Sequence, residues 1–386
     1  MRPCVASACL AVLLAVPAAH AAEKTPPSAD TVRAAPLHLV VLNDRMRMQV
    51  PYFGPAGVPT VMSNTMPAGA LLAGNLIGGL VVAGIEHQRL KEARASVRPA
   101  YDLLREGQCL LDGGEAFMDA LAPVAAGDAG SVPARHVLAA KQGIDDVISA
   151  KDERHLLLIS YALTPELDYL LTTVHAMYAP AGEGGRNSRI AWEGQLTVAA
   201  PAPALPAKSP ADIERLVEAE NQAWIDSGNA ARVKAANGGD LRARREVAGK
   251  FKQHEDALKQ ARAPEWSLRH ASLENARAWT ADGCGLLRQA LRDNAAQAAA
   301  LLPSVYAGDL PAFPQPGFWK MPPIPEETRD GITIRPSGPV SWLTWPAGRP
   351  MPGRHPSSAW MLDDGDQDKA EAAPETPSSS DDQAAG

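Results

Sequence analysis

Nine residues, Ile190 to Val198, constrain the fold more than any other stretch of this chain. Ile190, Trp192, Gly194, Leu196 and Val198 alternate with Ala191, Glu193, Gln195 and Thr197. Period-two alternation puts one set on a packed face of a sheet and the other on a wet face. Two strand-length runs precede it, HLLLISYAL (155–163) and LDYLLTTVHAMYA (167–179), parted by the turn-like Thr164-Pro165-Glu166. Links this short favour antiparallel neighbours. LHLVV, Leu37 to Val41, is a further short apolar run of strand length. GITIRPSGPVSWLTW (331–345) has two strand-like arms around Pro336-Ser337-Gly338-Pro339 and reads as a hairpin.

Helical patterns fill most of the remainder. EHQRLKEARASVR is expected to run as a helix up to Pro99, where the proline interrupts it and starts a second helix reaching about Ala122. ARHVLAAKQGIDDVISA (134–150) reads as a third. After the linker PAPALPAKSP, Ser209 can cap, Pro210 fits the first helical position and Asp212 lies in the first turn. From there to about Leu302 three or four helices are expected, with breaks at Asn237-Gly238-Gly239 and at Pro264. The predicted class is therefore α+β: a small antiparallel sheet with helices packed on one face, a C-terminal β-hairpin and a disordered acidic tail. The predicted divisions are 1–21, a signal peptide; 22–36, a flexible leader; 37–201, α+β; 202–310, helical; 311–361, Pro- and Trp-rich with the hairpin; and 362–386, the tail.

The first 21 residues carry Arg2, an apolar run from Val5 to Val16 and small residues at Ala19 and Ala21, the pattern of an export signal cut after Ala21. The expected location is the periplasm of a bacterium. Cleavage would leave Cys109 and Cys284 as the only cysteines, and in an oxidising compartment a disulfide between them is the simple expectation.

PAGALLAGNLIGGLVVAGIE (67–86) has no charge before Glu86 and raises the question of a membrane span. As a helix, Ala68 to Ile85 would be about 27 Å long, at the short end for a bilayer core. Five glycines weaken that helix, and Arg89, Lys91, Arg94 and Arg98 behind it would orient the rest of the chain inward. A packed segment is the preferred reading, with Ala70, Gly74 and Gly78 as a small-residue face for close backbone approach.

The chain carries a net charge of -7, and residues 363–386 hold eight carboxylates against Lys369 alone. The body is thus near neutral and has no electrostatic footprint for nucleic acid. Histidines and cysteines show no metal-ligand spacing. Asp364, Asp366, Asp368 and Glu375 copy a calcium loop's spacing, but Lys369 stands where glycine is required. GEGGRNS (182–188) lacks the Gly-Lys pair of a phosphate loop, and nothing selects an acid-base pair from Asp145, Asp146, Glu218, Glu220 and Asp282. No cofactor is implied.

All eight tryptophans follow residue 190, and Trp319, Trp342, Trp345 and Trp360 fall in Pro-rich sequence; the preferred reading is that they cover the helices and pin an irregular segment to the body, the other that they stack on sugars or clasp a partner. The leading functional expectation is an exported, non-catalytic envelope protein that binds or scaffolds a protein partner. Cell-wall polysaccharide binding through those four tryptophans is the alternative, and a periplasmic hydrolase without a recognisable motif comes third.

Overall fold

A computed structural model describes residues 27–43, 45–50, 93–126, 133–138, 143–182, 188–236, 241–315, 322–352 and 361–362. The export signal, the stretch Ala68 to Ile85 with Ala70, Gly74 and Gly78, Trp319, Trp360 and the acidic residues 363–386 lie outside them.

The class is mixed α/β, built, among the described residues, on one ten-stranded sheet. In chain order the strands are β1 (Leu37–Val41), β2 (Arg47–Gln49), β3 (Ala134–Val137), β4 (Arg154–Leu163), β5 (Tyr169–Ala179), β6 (Trp192–Pro201), β7 (Glu327–Arg329), β8 (Ile332–Gly338), β9 (Ser341–Pro346) and β10 (Met361–Leu362). The spatial order is β10-β2-β4-β5-β6-β9-β8-β7, with β1 also lying along β4 and β3 outside β1.

The centre is the expected antiparallel meander, with Leu163 opposite Leu170 and Tyr169 opposite Pro201. The expectation of a small antiparallel sheet is nevertheless corrected. β1 and β2 run parallel to β4, β3 runs parallel to β1, and β9 of the C-terminal hairpin runs parallel to β6. Loop length reveals only pairings between sequence neighbours, whereas these join segments far apart in the chain.

The helices are α1 (Ala29–Ala34), α2 (93–106), α3 (Gly114–Ala126), α4 (Pro210–Asp226), α5 (Asn229–Ala236), α6 (Leu241–Arg262) and α7 (Leu268–Ala307). Three local expectations change. Residues 29–34 of the supposed leader form a helix capped by Ser28, with Val32 buried. Pro99 does not stop α2; the chain breaks instead at Gly107–Gln108, where Gln108 is left-handed (φ 54°). The third helix is corrected among the described residues: Ala134–Val137 pairs with β1, and Ile144–Asp146 forms a 3-10 turn.

α7 packs across the core face of the meander. Ala276, Trp279, Leu287, Leu291, Ala298 and Leu302 join Leu157, Ile159, Leu163, Leu170, Val174, Leu196 and Val198 in the main core. The approach is close, for a Cβ added at Gly194 would stand 2.6 Å from Val305 Cγ1. Polar side chains on α7 fix its position: Asn275 donates to the carbonyl of Glu166 (2.8 Å), Trp279 Nε1 to that of Leu167 (2.7 Å) and Asn294 to that of Leu170 (3.0 Å). All three hold the β4–β5 hairpin.

α4 starts where the sequence indicates, with Ser209 accepting from Asp212 N (3.1 Å) and Asp212 closing a capping box. Lys208, just before it, is 9% exposed, and its ammonium donates to the carbonyls of Gln260, Ala261 and Ala263 at the end of α6. It also lies 5.4 Å from the centre of the Trp266 ring. A cation here satisfies carbonyls that a helix end leaves bare. Lys208→Met is expected to lower unfolding stability by about 2 kcal/mol, because the stem still packs while three carbonyls lose a charged donor. Urea unfolding of the two proteins checks this, and an unchanged midpoint would refute the capping role.

Candidate functional site

Side chains of β4, β5 and β6 that point away from α7 form the wet face. One end of it is covered by Leu138 and Ile148 over Val40, Leu156, Leu158 and Met177. The other end is covered by Trp345, Met351 and Leu343 over Tyr169, Leu171 and Ala199. Between these two satellite clusters lies a cleft of about 410 Å³. Leu158, Ala162 and Leu171 line it with apolar surface; Ser160, Thr173 and Gln195 add hydroxyl and amide groups.

Arg47 and Gln49 enter the cleft from β2. They do so because Met46, Met48 and Val50 alternate with them and are buried on the core side, at 1%, 0% and 3% exposure. The break between β1 and β2 is held by Tyr161, whose hydroxyl accepts from Gly113 N (3.0 Å) and donates to the carbonyl of Asn43 (3.2 Å). Asn43 in turn donates to the carbonyls of Arg45 (2.7 Å) and Tyr161 (3.3 Å). Arg47 makes no ion pair among the described residues, and Gln49 Oε1 is buried without a hydrogen-bond partner.

His175 also lines the cleft, with Nε2 3.2 Å from Glu193 Oε2. A base oriented by a carboxylate needs a nucleophile within reach to do covalent chemistry. Among the described residues no hydroxyl or thiol hydrogen-bonds to His175. Among the described residues, then, the cleft brings together apolar, hydroxyl and amide side chains without a nucleophile bonded to this histidine.

A serine, a histidine and a carboxylate do meet elsewhere. Ser267 Oγ is 3.0 Å from His270 Nδ1, and His270 Nε2 is 3.3 Å from Glu220 Oε1. Their positions argue for a strut. Ser267 is the N-cap of α7 and accepts from His270 N, and His270 is 2% exposed, so no substrate reaches the hydroxyl through it. The hydrogen bond from His270 holds the Glu220 carboxyl below its ordinary range, and burial partly offsets this. The pair ties α4 to α7. Beside it Trp224 stacks on His254 with ring centres 4.7 Å apart, while Ile225 and Phe251 stay exposed on α4 and α6.

Cys109 and Cys284 stand at disulfide distance, with Cα atoms 5.6 Å apart. Trp342 and Trp345 are packed away. Trp342 is 8% exposed and donates to the carbonyl of Pro311 (2.8 Å); Trp345 is 4% exposed and donates to that of Arg349 (3.1 Å). Neither ring offers an open face to a sugar, and both pin the irregular C-terminal segments to the sheet. His38 and His136 meet with nitrogens 3.3 Å apart, but among the described residues no group of three or more His, Cys, Asp or Glu is placed to hold a metal. No helix among them is long and apolar enough to cross a membrane.

Sequence reasoning identified Gln195 as a wet-face residue but missed Arg47, Gln49, Thr173 and His175 as its neighbours. A signal for two of them was present, since Met46-Arg47-Met48-Gln49-Val50 alternates as strictly as β6 does. Comparison with family models, curated proteins and solved structures finds no match, so geometry alone carries the functional reading.

Proposed function

We propose that this is an exported, non-catalytic binding factor that holds a segment of a partner protein in the cleft on its wet sheet face. One observation carries the reading: the cleft combines an apolar floor of Leu158, Ala162 and Leu171 with the hydrogen-bonding side chains of Ser160, Thr173, Gln195 and Gln49. Export is supported by the N-terminal apolar run and by two cysteines standing at disulfide distance. The exposed Ile225 and Phe251 give α4 and α6 a second surface suited to protein contact.

Photo-crosslinking in intact cells tests the cleft. A photoreactive residue at Thr173 or Gln195 is expected to give the same discrete polypeptide adduct, and one at the exposed Lys234 of α5 none. Equal labelling from all three positions, or adducts with carbohydrate alone, would reject the proposal.

A further inference from the structure

We infer that the β2 end of the cleft is a carboxylate-recognising subsite, with Arg47 as the specificity-determining residue for an acidic side chain on the bound segment. This rests on the binding reading above and adds the chemistry of what is bound.

Among the described residues that line the cleft, Arg47 is the only Arg, Lys, Asp or Glu, and His175 has its Nε2 3.2 Å from Glu193 Oε2. Two other arginines of the sheet behave otherwise. Arg335 reaches Glu326 at 2.9 Å, and Arg154 bonds the carbonyl of Ser149. Arg47 has neither kind of partner among the described residues, although it sits in a recess where a fixed counter-charge would lower its energy. A planar guanidinium in a recess matches a carboxylate through two parallel hydrogen bonds. Gln49, two residues along the same strand and on the same face, carries an amide whose buried end is unspent, and an amide can present either its oxygen or its NH2 group.

Phosphate fits less well, because among the described residues no helix N-terminus lines the cleft. From β2 across β4 and β5 to β6 the cleft spans three strand spacings, about 14 Å. That is the length of about four extended residues. The acidic side chain would meet Arg47, and the rest of the segment would lie over Ser160 and Thr173 towards Gln195.

The test titrates the full mature protein with the capped tetrapeptide acetyl-Ala-Glu-Ala-Ala-amide and its glutamine counterpart, followed by the arginine Nε–H and glutamine side-chain NMR resonances. The glutamate peptide is expected to bind about tenfold more tightly than the glutamine peptide. Arg47→Gln should erase that preference, Arg47→Lys should keep part of it, and Gln49→Leu should weaken the glutamate peptide alone. Equal binding of the two peptides by the unaltered protein would overturn the inference without depending on any variant. So would absence of binding by both, or binding of succinate with neither peptide, which would assign the site to a free acid. If crosslinks still form from Thr173 when the peptides are bound equally, the binding reading stands and only its acidic component falls.

Discussion

Removing the Cys109–Cys284 bond is expected to lower unfolding stability by roughly 5 kcal/mol, the chain-entropy value for closing a loop across a separation of 175 residues. Few single changes could cost more in a protein whose net stability is of the usual marginal size. Both sulfurs are buried, at 0% and 1% exposure, so the loss would not be recovered by solvation. The bond ties the end of α2 to an interruption in α7, where Asp282, Gly283 and Cys284 all take left-handed conformations (φ 50°, 61° and 65°). Left-handed backbone costs a residue with a Cβ about 1 kcal/mol or more. In a Cys109→Ala background, Cys284→Gly is therefore expected to be more stable than Cys284→Ala by about 1 kcal/mol. Urea unfolding with and without reductant, extended to these variants, measures both effects. A midpoint indifferent to reductant would remove the bond from the account of stability.

Acidification is expected to cost about 3 kcal/mol between pH 6.5 and 4 through one residue, His155. Its ring is fully buried, Nε2 meets Tyr306 Oη at 2.8 Å and Nδ1 has no hydrogen-bond partner among the described residues. Trp192 stacks on Tyr306, and the Arg33 guanidinium lies 4.9 Å from the centre of the Tyr306 ring. Burial first, and the charge of Arg33 second, push His155 down from 6.5 to about 4. Above pH 6.5 the imidazole is neutral in both folded and unfolded chains, and its contribution is fully present. Between 6.5 and 4 the unfolded chain binds a proton that the folded one refuses, so stability falls as pH falls. Chemical denaturation at pH 7, 6 and 5 checks this against the double variant His155→Leu with Tyr306→Phe, which should have a flatter profile. Equal slopes in that window would show that another group titrates.

The two effects meet different parts of one architecture. Cys109 precedes α3, whose Phe117 and Leu121 pack in the main core, while His155 opens β4 at the opposite end of the meander from the turn clamped by Asn275 and Trp279. Loss of the bond loosens α7 at its interruption. Protonation of His155 instead places a charge under α1 and the end of α7, where Arg33 already supplies one.

Some of this was legible in the chain. Alternation in β6 separates Gly194, Leu196 and Val198 on the core side from Gln195 and Thr197 on the wet side, and those assignments follow from the strand period alone. The start of α4 was equally readable, since Ser209, Pro210 and Asp212 act on the backbone within one turn. Pro99 misled because a proline removes one hydrogen bond and adds one clash, and packing of Val97, Ala100, Tyr101 and Leu104 in the core outweighs that. Trp342 and Trp345 pack as the pinning reading of the Pro-rich segment expects: their indole N–H groups find backbone carbonyls, and their rings fill gaps beside the sheet.

By itself the sequence determined the central meander, the start of α4, and which residues of β6 would share a face, because all of these act over a few residues. Only tertiary structure decided that β1, β2 and the C-terminal hairpin would join the meander in parallel, and that Arg47, Thr173, His175 and Gln195 would share one cleft. Those outcomes depend on which distant strands bury the most apolar surface against one another, a competition among long-range pairings that no local pattern encodes.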